Sequence, residues 1–188
     1  MTGHTPHLTV LAGPNGAGKS TSAPLLLKGT LGVTEFVNAD VVALGLSAFA
    51  PEKAALQAGK IMLERLKELA RNRQNFAFET TLASRSFAPW ISKLRGTGYR
   101  AHLVFLWLPS PEHAIARVAE RVRLGGHSVP EDVIRRRYGA GLKNFFNLYL
   151  PVVDSWSIYD NSSRNKARLI ASREARARPD VMDRSLRQ

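Results

Sequence analysis

Short apolar runs alternate along this chain with longer amphipathic stretches. Residues 8–12 form a mostly apolar run that ends at a glycine-rich loop and reads as a buried strand. A helix is expected over residues 19–31 and a second short strand over 35–38. From residue 51 to 73, Ala54, Ala58, Ile61, Met62, Arg65, Leu66 and Leu69 mostly keep the i, i+3, i+4 spacing of a helix. A strand over 76–79 and a helix over 86–94 follow, and Gly96 and Gly98 close the helix. The strongest strand lies at 100–108, where Val104, Phe105, Leu106 and Trp107 are consecutive, as in a strand covered on both faces.

Pro111 opens the next helix, with Ile115, Val118, Ala119 and Val122 on one side, and Gly125-Gly126 ends it. Pro130 stands near the start of another, with Ile134, Tyr138, Leu142, Phe145 and Tyr149 one above the other. Residues 155–159 and 168–171 read as final strands. Strands that alternate with helices predict a three-layer α/β/α domain with a mainly parallel sheet of five or six strands. The expected organisation is one domain over residues 1–172 with a helical lid at about 111–137, then a polar, frayed tail over 173–188.

Composition narrows the chemistry. The 188 residues contain no cysteine, which excludes disulfides, thiolate catalysis and cysteine-based zinc sites and fits a reducing cytoplasm. No segment approaches the roughly 18 consecutive apolar residues of a membrane span, and the start lacks the pattern of a signal peptide. The formal net charge of +12 suits a partner rich in phosphate.

Such a partner has a visible site. Gly13-Pro14-Asn15-Gly16-Ala17-Gly18-Lys19-Ser20, followed by Thr21, fits G-x-x-x-x-G-K-[ST] between an apolar strand and a helix. The glycines let successive N–H groups curl around an anion, and the helix start adds its positive dipole end. Lys19 supplies a charge for the β- and γ-phosphates of ATP or GTP, and the Ser20 hydroxyl suits Mg²⁺. The loop contacts phosphates only, so it does not separate ATP from GTP.

Acids at strand ends are the next candidates, because open parallel sheets bind ligands outside the carboxyl ends of their strands. Asp40 follows the second strand; it is placed either to accept a proton from an attacking hydroxyl or to cap a helix that starts at Val41. Asp160, after the apolar run Trp156-Ser157-Ile158-Tyr159, competes as an acid that holds Mg²⁺ indirectly, or is simple turn chemistry. Glu79, Thr80 and Thr81 end the third strand with three hydrogen-bonding groups, which suit an acceptor hydroxyl or an ordinary polar turn. Arg117, Arg121 and Arg123 precede Gly125-Gly126-His127; arginines on a lid can stabilise a transferring phosphoryl group, or they form a solvated face. Arg135, Arg136 and Arg137 are consecutive and point in different directions, and His127 has no second histidine at ligand spacing, so it reads as a turn residue.

Taken in order, these motifs resemble the zeta toxin family of P-loop kinases, in its short stand-alone bacterial form. The carrying segments are 12–21, Phe36-Val37-Asn38-Ala39-Asp40, Phe78-Glu79-Thr80-Thr81-Leu82, residues 121–130 with the glycine-glycine-histidine turn, and Tyr159-Asp160-Asn161-Ser162, within a similarity spanning 8–171. The resemblance implies a kinase that moves the γ-phosphate of ATP or GTP to a sugar hydroxyl, with UDP-N-acetylglucosamine, a nucleotide sugar, as the family substrate. It carries the base role onto Asp40, acceptor binding onto Glu79 and Thr80 or Thr81, and γ-phosphate binding onto the arginines of 117–123. It also raises a protein antitoxin as a partner. The chain is shorter than the best-known family toxins and lacks much of the sequence that shapes their nucleotide-sugar pocket. Two rival functions are a kinase acting on a nucleic-acid end and an ATP-regulated binding module; no base-stacking aromatic strand pair supports the first, and the Asp40 and Glu79 corner opposes the second.

Overall fold

The computed structural model describes residues 5–163, 167–174 and 180–181. Its strands are β1 (His7–Ala12), β2 (Glu35–Val37), β3 (Phe76–Thr80), β4 (Arg100–Trp107), β5 (Ser155–Asp160), β6 (Arg168–Arg173) and β7 (Asp180–Val181). They form one sheet in the order β2-β3-β1-β4-β5-β6-β7. β2, β3, β1, β4 and β5 run parallel, and β6 and β7 pair antiparallel at one edge. The six longer strands meet the expected architecture. The two-residue β7 is an addition from the polar end of the chain, where no apolar alternation marks a strand; most of that expected tail lies outside the described residues.

The helices are α1 (Lys19–Ala23), α2 (Ala39–Leu46), α3 (Pro51–Arg71), α4 (Phe87–Gly96), α5 (Pro111–Arg123) and α6 (Glu131–Asn144). The period of two along each strand sorts the core into two faces. Leu8, Val10, Phe76, Phe78, Leu103 and Phe105 pack on one side with Met62, Leu66 and Leu69 of α3 and Ile91 of α4. Leu11, Ala77, Val104 and Leu106 pack on the other with Ala23, Leu27, Ala114, Val118 and Ile134. The sheet is thus covered on both faces, which explains the unbroken apolar runs in β1 and β4.

Three local departures have physical causes. The helix expected over 19–31 changes at Pro24 to π-type bonding that runs to Thr30, because proline offers no N–H to the α-helical ladder. The helix that begins at Glu131 likewise passes into a π-helical turn, Phe145–Tyr149, before Pro151. A helix unmarked by any clear periodicity, α2, leaves β2 directly: the Asn38 side chain accepts from the N–H groups of Asp40 (2.8 Å) and Val41 (3.4 Å). Asn38 is therefore the cap. Asp40 sits within the first turn, so the reading of Asp40 as the capping residue is set aside.

Candidate active site

The phosphate loop leaves the central strand β1 between β3 and β4. Its curvature needs glycine where α5 comes close. Gly16 has φ 77°, and a Cβ there would stand 2.8 Å from the Ala114 carbonyl oxygen and 3.1 Å from the Arg117 Cβ. The loop and α5 therefore touch backbone to backbone. Asn161, just past β5, fixes the same loop by donating its amide to the Ala17 carbonyl at 2.8 Å.

Lys19 opens α1 and is only 6% exposed. Its ammonium donates to the Pro14 carbonyl at 2.9 Å and lies 3.6 Å from Oε1 of Glu79. Burial lowers its pKa, while the charges of Glu79 and Asp40 work in the opposite direction. Glu79 reaches this spot because β3 is the immediate neighbour of β1, with Glu79 in register with Leu11. Its Oε2 accepts from the Ser20 hydroxyl at 2.8 Å and from the Asn38 amide at 2.7 Å. Asn38 also reaches Ser20, at 3.2 Å. One residue thus caps α2 and ties the ends of β2 and β3 to the loop.

A cleft of about 850 Å³ opens over these groups; Lys19, Ser20, Asp40, Glu79, Arg117 and Arg121 are in its wall. Asp40 is exposed there, on the first turn of α2. The Ser20 hydroxyl beside the Glu79 carboxylate makes a hard-oxygen pair that fits Mg²⁺. The described residues contain no group of three acidic, histidine or cysteine side chains able to enclose a metal. A cation here would complete its shell with phosphate oxygens and waters, the usual habit of Mg²⁺.

The arginines separate by helical phase. Arg117 spans the cleft edge and donates to the carbonyls of Ser162 and Ser163, each at 2.9 Å. Arg121, one turn later, lines the cleft and donates to the His127 carbonyl at 2.6 Å. A Cβ on Gly126 would stand 2.5 Å from the Arg121 Cγ and 3.0 Å from its carbonyl oxygen. The glycine-glycine-histidine turn therefore wraps the stem of Arg121, and the second glycine serves that close approach. Arg123 is exposed on the last turn of α5 and is not among the residues lining the cleft.

The remaining candidates fall elsewhere. Thr80 and Thr81 accept from the N–H groups of Leu82 (3.1 Å) and Ala83 (3.4 Å), shaping the turn after β3, and neither lines the cleft. Asp160 accepts from the N–H of Ser162 at 2.8 Å and pairs with Arg168 at 3.5 Å. Burial opposes its charge, yet these bonds hold its carboxyl below the ordinary value. The acid beside Ser20 is Glu79. The run Phe76-Ala77-Phe78 before it carries the same apolar-then-acid signal as the run before Asp160. Asn38 and Asn161 stand inside two of the segments that carry the family resemblance, and the local residue pattern alone assigns neither a role.

A phosphate loop on the central strand, with an acid from the adjacent strand against its lysine and serine, defines a P-loop nucleotide-binding protein with a kinase-like fold. The chain belongs to the AAA domain family, whose model matches residues 8–145. It is 28% identical over 126 residues to an uncharacterized protein of Haemophilus influenzae, covering 67% of this chain and 88% of that one. Its fold is similar to that of a chain from the PezAT chromosomal toxin–antitoxin system of the human pathogen Streptococcus pneumoniae, with TM-score 0.66, 19% identity, and 92% and 73% of the two chains covered. It is also similar to a chain of the AvrRxo1-ORF1:-ORF2 complex with ATP, with TM-score 0.71 and 19% identity over 92% of this chain and 60% of that one. The resemblance to the zeta toxin kinases is thus matched in the fold. No helix among the described residues is long and apolar enough to cross a membrane.

Proposed function

We propose that this protein is a kinase that transfers the γ-phosphate of ATP or GTP to a hydroxyl of a small molecule, with a nucleotide sugar such as UDP-N-acetylglucosamine as the leading acceptor. The convergence of Lys19, Ser20, Glu79, Asp40 and Arg121 on one cleft carries this reading. The loop N–H groups and Lys19 hold the triphosphate. Ser20, backed by Glu79, would hold Mg²⁺, and the ion would supply charge neutralisation on the phosphates. Asp40 orients the acceptor hydroxyl and takes its proton as the oxygen attacks the γ-phosphorus and the β–γ bridging oxygen leaves with the nucleoside diphosphate. Arg121 stabilises the transferring group. The acceptor enters on the Asp40 side, and Glu79 orders that wall. Thr80 and Thr81 shape the strand exit; in this reading they make no direct contact with the acceptor, because neither lines the cleft. A protein antitoxin is the proposed partner, on the strength of the toxin–antitoxin system that holds one of the similar chains.

The test is transfer of label from ATP to a panel of nucleotide sugars, nucleosides and oligonucleotide ends. The oligonucleotide arm is kept because the net charge is +12 and because the fold is similar to a chain of the Pnkp1/Rnl/Hen1 RNA repair complex (TM-score 0.60, 22% identity, 79% and 48% covered). With the acceptor in hand, Asp40→Asn is expected to keep ATP affinity and lose roughly 10²–10⁴-fold in transfer, the range for removing a general base. Asp160→Asn is the control. An active Asp40→Asn beside a dead Asp160→Asn would reverse the assignment.

A further inference from the structure

Two side-chain atoms among the described residues are buried without a hydrogen-bond partner: Oδ1 of Asn15 and Nε of Arg121. One is an acceptor and the other a donor, and both residues line the same cleft. Buried side-chain polar atoms are seldom left unpaired, so each orphan calls for a reason. Asn15 is only 8% exposed, in the middle of the phosphate loop. The elements that carry the two atoms already touch: beside its approach to Ala114 and Arg117, a Cβ on Gly16 would stand 3.4 Å from Cγ2 of Val118. Arg121 follows Arg117 by four residues and Val118 by three, so it lies on the helix face that meets the loop. The far end of its guanidinium is engaged, through Nη2, with the His127 carbonyl.

We propose that Asn15 is a positioning residue for Arg121. As the guanidinium turns onto the transferring phosphoryl group, its Nε–H donates to Oδ1 of Asn15. That bond fixes the plane of the guanidinium and leaves both Nη nitrogens for phosphate oxygens. A planar fork is effective only when held in the plane of its acceptors. The inference rests on the kinase reading and on Arg121 as the phosphoryl ligand, and it gives the asparagine of this loop a role that phosphate loops do not generally assign to that position.

The test needs no acceptor. Calorimetry with Mg²⁺ and ADP, alone and with aluminium fluoride as a mimic of the transferring phosphoryl group, is run on the whole chain and on Asn15→Ala, Arg121→Ala and the double variant. Asn15→Ala is expected to weaken the aluminium fluoride complex by about 10-fold, the size of one hydrogen bond to a charged group, and to leave ADP alone within about twofold. On the Arg121→Ala background the same change is expected to add almost nothing, because the two act as a unit. Asn15→Ser retains an acceptor oxygen and is expected to lose less than Asn15→Ala. Equal losses on both backgrounds, equal losses with ADP alone, or a serine variant worse than the alanine variant would each overturn the proposal. If Arg121→Ala leaves the aluminium fluoride complex intact while the wild type binds ADP, the proposal fails and the phosphate-loop reading stands. A wild type that binds neither ligand removes both.

Discussion

Replacing Glu79 by glutamine isolates the charge that faces Lys19. Glutamine keeps the size of the side chain and can still accept through its carbonyl oxygen, so the bonds from Ser20 (2.8 Å) and Asn38 (2.7 Å) have a remaining partner. What disappears is the negative charge 3.6 Å from an ammonium that is 6% exposed. Breaking a buried pair by removing one partner costs about 3–5 kcal/mol, and the open cleft argues for the lower end. Unfolding entropy near 2.1 cal/mol/K per residue converts ~3 kcal/mol into a fall of about 8 °C in Tm for a chain of this length.

The pH dependence gives a stricter check. Burial lowers the Lys19 pKa below the ordinary 10.5, and Glu79 is the largest influence in the other direction. A lysine whose folded pKa is depressed destabilises the fold while it is charged. Between the depressed pKa and 10.5 the unfolded chain binds more protons, so stability rises with pH in that window. Glutamine at position 79 lowers the Lys19 pKa further and extends the window downward. The stability deficit of the variant should therefore shrink as pH rises through the Lys19 pKa. A triphosphate supplies the missing negative charge, so ATP in the presence of a chelator should raise the Tm of Glu79→Gln more than that of the wild type. Differential scanning fluorimetry across pH, with and without ATP, reads both effects. A deficit that grows with pH, or a smaller ATP increment in the variant, would refute the pairing argument.

The other expectations are simpler. Lys19→Ala should abolish transfer and strongly weaken triphosphate binding while the protein stays folded, because the site opens into the cleft; wild-type nucleotide affinity by calorimetry would remove the phosphate-loop reading. Gly126→Ala places a methyl against the Arg121 stem and should lower kcat toward the value of Arg121→Ala, about 10³-fold below wild type on the scale of arginine fingers, with little change in Tm. An active Gly126→Ala would show that the turn does not set the Arg121 position.

The parts of the fold legible in the sequence are those written in local pattern. β1 and β4 read as apolar runs because the sheet buries both their faces, and α3 and α5 read as helices because each buries one stripe. α2 is legible only as one alternative, a helix starting at Val41 and capped by Asp40, because its exposed residues are as apolar as its buried one: Val41 and Leu44 are more than half exposed, while Ala43 is buried. A helix whose outer face is apolar carries no period to count. The π-helical turns escaped because Pro24 and Pro151 mark where the helical pattern is interrupted without stating the bonding beside them.

The site divides along the same line. Lys19 and Ser20 are fixed by a contiguous motif whose spacing is the function. Glu79 and Asp160 present the same local signal, an acid after an apolar strand, and only strand order separates them. β3 lies against β1, whereas β5 lies beyond β4, so Glu79 meets Ser20 and Asp160 meets its own turn. Arg121 and Arg123 differ in a comparable way. Two residues apart on a helix, they point about 200° apart around the axis, and the approach of Gly16 to Ala114, Arg117 and Val118 selects which of the two faces the loop. A sequence can nominate both members of such a pair. Choosing between them takes a contact distant in sequence, here one between a glycine of the first loop and a helix a hundred residues later, and that contact exists because parallel order places β4 and its outgoing helix beside β1.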